Sequence, residues 1–401
     1  MRSFGRPSVA FASLLALALA LRLGFSLGYW VEKPLTHDEH EYWTLSRNLL
    51  AGRGLVYDDD GREHFGRAPG YPVFLAAVGL VDESPAGMKI AQSVLGTLGV
   101  ALVGRLGTAA AGPAAGLAAT AIAAIYPPLV CMPAYVLSET LYSLLALWST
   151  LLLWRAFERP SPARFVAIGV LVGVTALVRP IAVPFLAFVT VALLLRRELV
   201  AAAAIVIGAA IVIAPWAAWK THESGRFIVI ASEGGITFWT GNHPLAIGEG
   251  DMAANPGIQR ANRELRAAHP GLSPEALEPV YYREAVAWIR AEPLRFATLV
   301  ARKLLYLCVP IGPSYLLHSA LYRWTAWLSY LVLLPLALAG VPQVLRSRDH
   351  GLPLWLLAGS VAATSLVFFP QDRYRPPAID PVLIVCAACT GAEIIRNRIR
   401  A

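Results

Sequence analysis

The feature that most constrains this fold is the recurrence of apolar runs about as long as a bilayer is thick. A helix needs about 20 mainly apolar residues to cross the hydrocarbon core of a membrane, and residues 9–30 are the first of many such runs. Charged residues make up 15% of the chain and hydrophobic residues 57%, whereas soluble domains carry about 25% charged residues. The sequence therefore predicts an all-α polytopic membrane protein, with one integral membrane domain over residues 1–401.

We expect about ten transmembrane helices. The runs assigned to spans are residues 9–30, 88–106, 114–131, 134–157, 165–178, 181–195, 199–219, 322–341, 352–370 and 379–395. Arg22 falls within the first run, where a charge is costly unless it snorkels or faces a polar cavity, and both interpretations stay open. Residues 294–317 are also apolar, but because they carry Arg302 and Lys303 we expect an interfacial or re-entrant helix there.

The charges of the connections set the expected orientation. Lysine and arginine collect in alternate connections, as the positive-inside rule requires if both termini are cytoplasmic. Two longer polar segments then lie outside: a first loop with interfacial helices at residues 31–87, and an extracytoplasmic insert at residues 220–293. Since the basic residues of a chain with net charge +8 are explained in this way, we do not expect nucleic acid as a partner.

The first loop opens on a helix start that carries acidic residues. Residues 36–39, Thr-His-Asp-Glu, have the form of a capping box, and Tyr42, Leu45 and Leu49 then recur at helical spacing. We expect an amphipathic helix that lies on the membrane surface. Asp38 stands four residues before Tyr42, so its carboxylate would follow the apolar face and lie near the positive helix N-terminus. The segment therefore offers an ionised base at the membrane boundary.

Four arginines are expected at the same outer boundary as Asp38: Arg67, Arg179, Arg373 and Arg375. The fork of the guanidinium group suits phosphate oxygens. Sugar nucleotides are not available outside the cytoplasm, so an activated sugar there would arrive attached to a lipid. Because a departing phosphate needs charge neutralisation more than protonation, one base and several arginines would suffice for displacement at a sugar carbon.

Several different short motifs follow one another along most of the chain. They are Asp38-Glu39-x-x-Tyr42, Arg67-x-Pro69-Gly70-Tyr71-Pro72, Ser138-Glu139-Thr140-Leu141-Tyr142, Arg179-Pro180, Gly241-Asn242 and Arg373-Tyr374-Arg375. With these motifs the chain resembles the membrane glycosyltransferases of the C superfamily, and it is most similar to glycosyltransferase family 39. That family holds the protein O-mannosyltransferases and the lipid A aminoarabinose transferases.

The resemblance implies roles for individual residues. Asp38 would be the catalytic aspartate, Glu139 a second acidic residue at the active site, and Arg67 a phosphate-binding residue. The further predicted positions are Glu39 in catalysis, Arg179, Arg373, Arg375 and Tyr42 at the donor phosphate, and His64, Tyr71 and Asn242 at the acceptor or the loop.

The implied reaction is transfer of a sugar from a polyprenyl-phosphate-linked donor to a hydroxyl group of a lipid, a glycan or a protein, with inversion. The similar proteins place this reaction at the outer face of a bacterial inner membrane, facing the periplasm or the exterior. The expected partners are the donor lipid, a hydroxyl acceptor and membrane lipids. The sequence does not specify the sugar, the acceptor, the carrier length or the oligomeric state.

The acidic and basic motifs also have structural interpretations. Asp38 and Glu39 could serve only to cap a helix. Arg373 and Arg375 could anchor the membrane interface beside Tyr374. Glu139 lies at the expected outer start of a span, where functional and structural roles are both open.

Metal binding has weak support. His37, Asp38 and His40 could gather a divalent cation, but they match no standard ligand spacing and lack a matched remote ligand set. Residues 58–60 are three aspartates before Gly61 and predict a solvated turn, with calcium binding as the alternative. No cofactor is therefore required, and a divalent cation stays open.

Two other classes of protein fit part of this pattern. A lipid-linked glycan flippase or other transporter would need polar residues through the middle of several spans, or paired broken helices. A non-catalytic subunit that binds a lipid carrier would depend on the arginines but tolerate the loss of Asp38. Because the acidic residues collect in the extracytoplasmic segments, the enzyme is favoured.

Overall fold

The structure is a computed structural model that describes residues 8–58, 64, 66–346 and 351–400. Within these ranges all regular secondary structure is helical, which confirms the all-α prediction. Residues 59–61 of the predicted aspartate turn lie outside the described residues, so the calcium alternative stays a prediction.

The described part of the chain contains seventeen α-helices. In order they are α1 (Val9–Leu23), α2 (His37–Leu50), α3 (Gly70–Gly79), α4 (Pro85–Ala111), α5 (Pro113–Ile125), α6 (Pro127–Cys131), α7 (Glu139–Glu158), α8 (Pro162–Val178), α9 (Val183–Leu195), α10 (Leu199–Ser224), α11 (Gly234–Gly241), α12 (Pro256–Ala267), α13 (Pro274–Ala291), α14 (Pro293–Cys308), α15 (Ala320–Arg346), α16 (Leu352–Val367) and α17 (Ile379–Arg400). A π-helical turn, Gly24–Tyr29, extends α1, and 3₁₀ turns occur at Met132–Ala134, Pro180–Ala182 and Pro313–Leu317.

Among the described residues, five helices have the length and apolar composition to cross a membrane: α1 with its π-helical turn, α4, α7, α10 and α15. Helix α5 and the segment Pro127–Ala134 are bent by 62° relative to each other. If they form one broken helix, they make a sixth span. Shorter apolar helices, including α3, α8 and α16, accompany them. The chain is an integral membrane protein, and the count of ten spans stays a prediction.

Proline explains many of the helix starts. At the first helical position its missing N–H would lack an intrahelical partner in any case, and its fixed φ suits the helix. Helices α4, α5, α6, α8, α12, α13 and α14 all begin on proline. The bend after α5 has the same cause, because Pro127 and Pro128 cannot continue the hydrogen-bond ladder of the preceding helix.

Close backbone packing joins α8 to α10. A Cβ placed on Gly169 would lie 2.1 Å from the carbonyl oxygen of Ile205, and one placed on Gly208 would lie 2.2 Å from that of Val166. No side chain fits at either position. Such glycine contacts let two membrane helices approach closely, where lipid provides no hydrophobic force to drive them together.

Arg22 does not snorkel to the membrane boundary. Its side chain is buried, and its guanidinium donates to the carbonyl oxygens of Ala123 and Ala124 at 3.2 and 3.3 Å. Those carbonyls belong to the last turn of α5. The last carbonyl groups of a helix have no intrahelical N–H partner, so they need another hydrogen-bond donor. The observed contacts give Arg22 a capping role inside the bundle.

Helix α2 begins where the sequence predicts it. Glu39 accepts a 2.8 Å hydrogen bond from the backbone N–H of Thr36, and the capping box is formed. The apolar face of α2 packs on α3 and buries Tyr42 and Leu45. The apolar stripe of α2 meets protein because the apolar α3 returns alongside it. The position of α2 at the membrane surface stays a prediction.

The insert has an apolar core of its own. Helices α11, α12 and α13 enclose a cluster that comprises Trp239, Ile258, Leu265, Leu277, Val280, Tyr281 and Ala285. Helix α14 follows as a separate element that exposes Leu294, Leu304 and Leu305 and buries Lys303. Helix α14 is not among the described helices that pass the test for a membrane span, and its interfacial or re-entrant position stays a prediction.

Candidate active site

Asp38 lies between two arginines at the N-terminus of α2. Its Oδ1 accepts a 2.9 Å hydrogen bond from Arg67 Nη2, and its Oδ2 accepts one of 2.8 Å from Arg373 Nη2. Burial alone would raise the pKa of Asp38, but Arg373 and Arg67 together outweigh it and hold the pKa well below its usual range. The carboxylate is therefore ionised, while a quarter of its side chain stays exposed.

Arg67 is held by carboxylates on several sides. It contacts Glu41 Oε2 through Nε at 2.8 Å and through Nη2 at 2.5 Å. Its Nη1 lies 3.2 Å from Glu233 Oε2, and the guanidinium stands over the ring of Tyr42 at 5.1 Å. These contacts fix the guanidinium plane before any ligand binds.

The linked charged side chains, which we call the Asp38 cluster, are Asp38, Glu41, Glu139, Glu233, Arg67, Arg179 and Arg373. Within it, Glu139 contacts Arg179 and Arg373. It is the first residue of α7, and its Oε1 lies 2.7 Å from Arg179 Nη1 and 3.6 Å from Arg373 Nε. Arg179 ends α8, donates to Ser138 Oγ at 3.1 Å, and lies over the ring of Tyr374 at 4.9 Å. The structure therefore brings Glu139 and Arg179 to Asp38 through the shared partner Arg373.

Local structure explains the motif that carries Arg67. Gly66 and Ser232 bind each other twice: the Gly66 N–H donates to Ser232 Oγ at 2.8 Å, and the Ser232 N–H donates to the Gly66 carbonyl at 2.9 Å. Two positions past Pro69, Tyr71 is fully buried and donates to Gln92 Oε1 at 3.1 Å. Tyr71 therefore anchors the start of α3, and Arg67 is fixed from both sides.

Glu39 lies apart from this cluster. Its two carboxylate oxygens accept backbone hydrogen bonds, from the N–H of Thr36 at 2.8 Å and from that of Val136 at 2.7 Å. It is buried. The geometry gives Glu39 a structural task, which ties the start of α2 to the segment before α7.

Arg375 and Asn242 also lie apart from Asp38. Arg375 Nε pairs with Asp380 Oδ1 at 2.7 Å, and its guanidinium stacks on Tyr330 at 3.9 Å. Asn242 is buried and accepts from Lys303 Nζ at 2.8 Å. Within the described part of the chain, Arg375 and Asn242 therefore have partners other than Asp38.

Two of the three histidines near the start of α2 contact Glu41. His64 Nδ1 lies 3.0 Å from Glu41 Oε1, and His37 Nε2 lies 3.4 Å from the same atom. His64 also stacks on Tyr57, with ring centroids 4.3 Å apart, while His40 lies beside Trp43.

Arg67 contacts Asp38, Glu41 and Glu233, so a guanidinium group occupies the place where these carboxylates could bind a cation. Within the described residues, no group of three or more histidine, cysteine, aspartate or glutamate side chains is placed to hold a metal ion. His37, Asp38 and His40 are accordingly not placed as a ligand set in this structure, and the divalent cation left open by the sequence stays a prediction. No step proposed below depends on a metal.

Two acidic residues of the cluster were not predicted from the sequence. Glu41 stands on the polar side of α2, where it has the pattern of a solvated residue, although its spacing of three from Asp38 puts the two on neighbouring positions of one helix. Glu233 precedes a glycine pair in the insert, and no local signal links it to Arg67, more than 160 positions earlier in the chain.

Sequence comparison finds no relative, since no family model and no curated protein matches this chain. Solved structures do match. The oligosaccharyltransferase AglB from Archaeoglobus fulgidus, in complex with an inhibitory peptide and a dolichol-phosphate, is 14% identical, with a TM-score of 0.54 over 96% of this chain and 50% of its own. ArnT from Cupriavidus metallidurans, bound to undecaprenyl phosphate, is 14% identical, with a TM-score of 0.46 over 95% of this chain and 77% of its own.

The likeness to AglB establishes the fold. This chain spans about half the length of the AglB chain, and at this identity a shared fold is what the match shows. Membership of glycosyltransferase family 39 stays a prediction. The chain has the fold that AglB shows over the matched half of its length, and membership of the C superfamily stays a prediction.

Proposed function

We propose that this chain is a membrane glycosyltransferase that moves a sugar from a polyprenyl-phosphate-linked donor to an acceptor hydroxyl, with inversion. The observation that carries the proposal is a partly exposed, ionised carboxylate, Asp38, held between Arg67 and Arg373. AglB, which shares the fold, is solved with a dolichol-phosphate and a peptide. A lipid phosphate and an acceptor are therefore the ligands that we assign to this chain.

Asp38 supplies the base in this mechanism. Its carboxylate takes the proton of the acceptor hydroxyl as the oxygen attacks the anomeric carbon, and the bond from that carbon to the phosphate oxygen breaks. The bonding pair leaves with the phosphate, whose developing charge Arg67, Arg179 and Arg373 neutralise. Attack from the face opposite the phosphate inverts the sugar carbon.

Before the donor binds, the arginine contacts make Asp38 a weak base. A carboxylate whose pKa is held low by Arg373 and Arg67 has little tendency to accept a proton. The donor phosphate would compete with Asp38 for the same two guanidinium groups. As they turn to the phosphate, the pKa of Asp38 rises toward its usual range, so donor binding prepares the base.

Arg67 does not lose its position in this exchange. Its bonds to Glu41 and its contact with Glu233 do not involve Asp38, and Arg179 keeps its contact with Glu139. The arginines can therefore change partners on one side while staying fixed on the other. We assign this site to the extracytoplasmic face of a bacterial inner membrane, with both termini in the cytoplasm.

The decisive experiment is sugar transfer by the purified full chain in nanodiscs. It is offered a panel of radiolabelled polyprenyl-phosphate sugars, with native membrane extract as acceptor. Wild type, Asp38→Asn and Glu32→Gln are compared, since Glu32 is an exposed acidic residue of the same loop. We expect transfer from one donor in wild type and Glu32→Gln, and none in Asp38→Asn.

Other outcomes contradict the proposal. Normal transfer by Asp38→Asn would remove Asp38 from the role of base. Binding of the lipid phosphate without transfer from any donor would favour a carrier-binding subunit, and movement of the lipid across the bilayer would favour a flippase.

A further inference from the structure

A lysine lies buried at the junction between the insert and the membrane bundle. Lys303 of α14 is 0% exposed. Its ammonium group donates to Asn242 Oδ1 at 2.8 Å, to the carbonyl oxygen of Leu366 at 3.1 Å and to that of Val367 at 3.5 Å. One side chain thus binds the ends of two helices, because Asn242 ends α11 and Val367 ends α16.

The two helix ends are also joined directly. Asn242 Nδ2 donates to the carbonyl oxygen of Phe238 within α11 at 2.8 Å and to that of Val367 in α16 at 2.9 Å. A Cβ placed on Gly241 would lie 1.9 Å from the carbonyl oxygen of Phe368. Only glycine permits this approach, which gives the Gly241-Asn242 motif a physical explanation.

Each of the joined segments carries a residue of the Asp38 cluster. Glu233, at the N-cap of α11, contacts Arg67. Arg373, which binds Asp38, follows the end of α16 by six residues. The junction therefore fixes the base of the loop that presents Arg373 and the far end of the helix that presents Glu233.

The chemistry of Lys303 indicates more than packing. Burial lowers its pKa to about 7, and no carboxylate is among the contacts that the described residues make with its ammonium group. Burying such a group is costly, and an apolar side chain of similar volume would fill the space at lower cost. What an apolar side chain cannot supply is the set of hydrogen bonds to the two helix ends.

We propose that Lys303 is a positioning residue, which with Asn242 and Gly241 holds Arg373 and Glu233 in register around Asp38. The proposal rests on the assignment of Arg373 to the donor phosphate. In this role Lys303 does not need to touch the sugar or the acceptor. Displacing a binding group by about 1 Å can cost up to about 100-fold in rate, so loosening this junction has a measurable effect.

The test uses the full chain in nanodiscs and undecaprenyl phosphate as the probe. Lys303→Met is compared with Arg302→Met, which removes the exposed charge next to it on the same helix. We expect Lys303→Met to weaken binding about tenfold and to speed hydrogen exchange in residues 366–376 and 232–242. Arg302→Met should behave like wild type in both measurements.

A double-mutant cycle separates positioning from general destabilisation. Since Lys303 acts in part through Arg373, Lys303→Met should cost less lipid-phosphate affinity in the Arg373→Ala background than in wild type, and the remaining loss reports the route through Glu233 and Arg67. Full additivity of the two losses, or wild-type binding and exchange in Lys303→Met, overturns the proposal. If Lys303→Met does not fold, Lys303→Gln, which keeps a hydrogen-bond donor, should show a smaller loss of the same sign.

The exchange measurement also distinguishes this proposal from the proposed function. If wild type itself does not bind the lipid phosphate, the assignment of Arg373 to the donor fails. Faster exchange in the two segments of Lys303→Met would still establish the junction, and unchanged exchange would overturn it.

Discussion

At the scale of single residues, the site is defined by competition for guanidinium groups. Three carboxylates, those of Asp38, Glu41 and Glu233, contact Arg67. Only Asp38 also contacts Arg373. Because Asp38 bridges Arg67 and Arg373, its replacement frees hydrogen-bond donors on two arginines for a phosphate, whereas replacement of Glu41 or Glu233 frees donors on Arg67.

Asp38→Asn should therefore bind a lipid phosphate more tightly than wild type while losing transfer. The amide frees Arg67 and Arg373 from a competing charge, and a charge-assisted hydrogen bond is worth about 1.5–3 kcal/mol, so the gain should be about tenfold or more. Binding of undecaprenyl phosphate to nanodisc-embedded protein measures it. Equal or weaker binding in Asp38→Asn would show that Asp38 and the phosphate do not share the arginines.

Glu249 offers a separate prediction on pH. Burial raises its pKa to about 7, although it accepts hydrogen bonds from the N–H and the hydroxyl of Ser314. Between its unfolded value of 4.5 and about 7, the folded chain holds a proton that the unfolded chain has lost. The free energy of unfolding should therefore fall as pH rises through this window.

Thermal unfolding of the detergent-solubilised protein at pH 5 to 8 checks the prediction. Glu249→Gln should flatten the pH dependence, whereas Asp251→Asn, a nearby acid with less burial, should retain it. A Glu249→Gln profile as steep as wild type would mean that another group titrates in this window.

The sequence predicted which residues meet at the site better than it predicted which side chains each of them contacts. The predicted residues Asp38, Arg67, Glu139, Arg179 and Arg373 come together in the structure, and their catalytic roles stay predictions. Arg375 carries the same type of side chain two positions from Arg373, yet it turns to Asp380. Which of two neighbouring arginines faces a site depends on tertiary packing, which a linear motif does not encode.

At the scale of helices, close packing depends on the positions of glycine residues, which have no side chain. The contact of α8 with α10 passes through Gly169, whose Cβ would meet a backbone atom and not a flexible side chain. Gly99 in α4 faces open space within 4 Å. The two glycines should therefore respond in opposite ways to the same substitution.

Gly169→Ala should destabilise the chain by about 1–3 kcal/mol, because α8 and α10 must move apart. Gly99→Ala should be neutral or stabilise it by up to about 1 kcal/mol, since alanine favours the helix and meets nothing. Thermal unfolding in one detergent compares both variants with wild type. If Gly169→Ala were as stable as Gly99→Ala, the close contact between α8 and α10 would be wrong.

Helix starts were predictable because their signals are local, whereas packing partners were not. The capping box at Thr36 and the charged helix α14 both follow from sequence. The apolar stripe of α2 has the same pattern whether it meets lipid or protein, so its burial against α3 could not be deduced from periodicity. Pro127 and Pro128 indicate the bend between α5 and α6. The apolar run that contains them has the length of a single span, so the sequence predicted one continuous helix there.

At the scale of the whole molecule, the site exists only where distant segments meet. Asp38 and Arg373 are separated by 335 positions in the chain, and Glu233 comes from an insert with a core of its own. The insert reaches the first loop through the reciprocal bonds of Ser232 with Gly66, next to both Glu233 and Arg67. We infer that this contact transmits the position of the insert to the site.

Ser232→Ala should loosen that contact without unfolding the insert. The alanine keeps the backbone bond to Gly66 but removes the hydroxyl that accepts from the Gly66 N–H, so hydrogen exchange at residues 66–70 should quicken and transfer should fall about tenfold. Ser273→Ala is the matched control, because it removes the N-cap of α13 in the same insert and should cost about 1 kcal/mol of stability with no change in the first loop. Equal effects of both variants on the first loop would mean that Arg67 responds to the stability of the insert as a whole, and that the Ser232 contact has no special part in placing it.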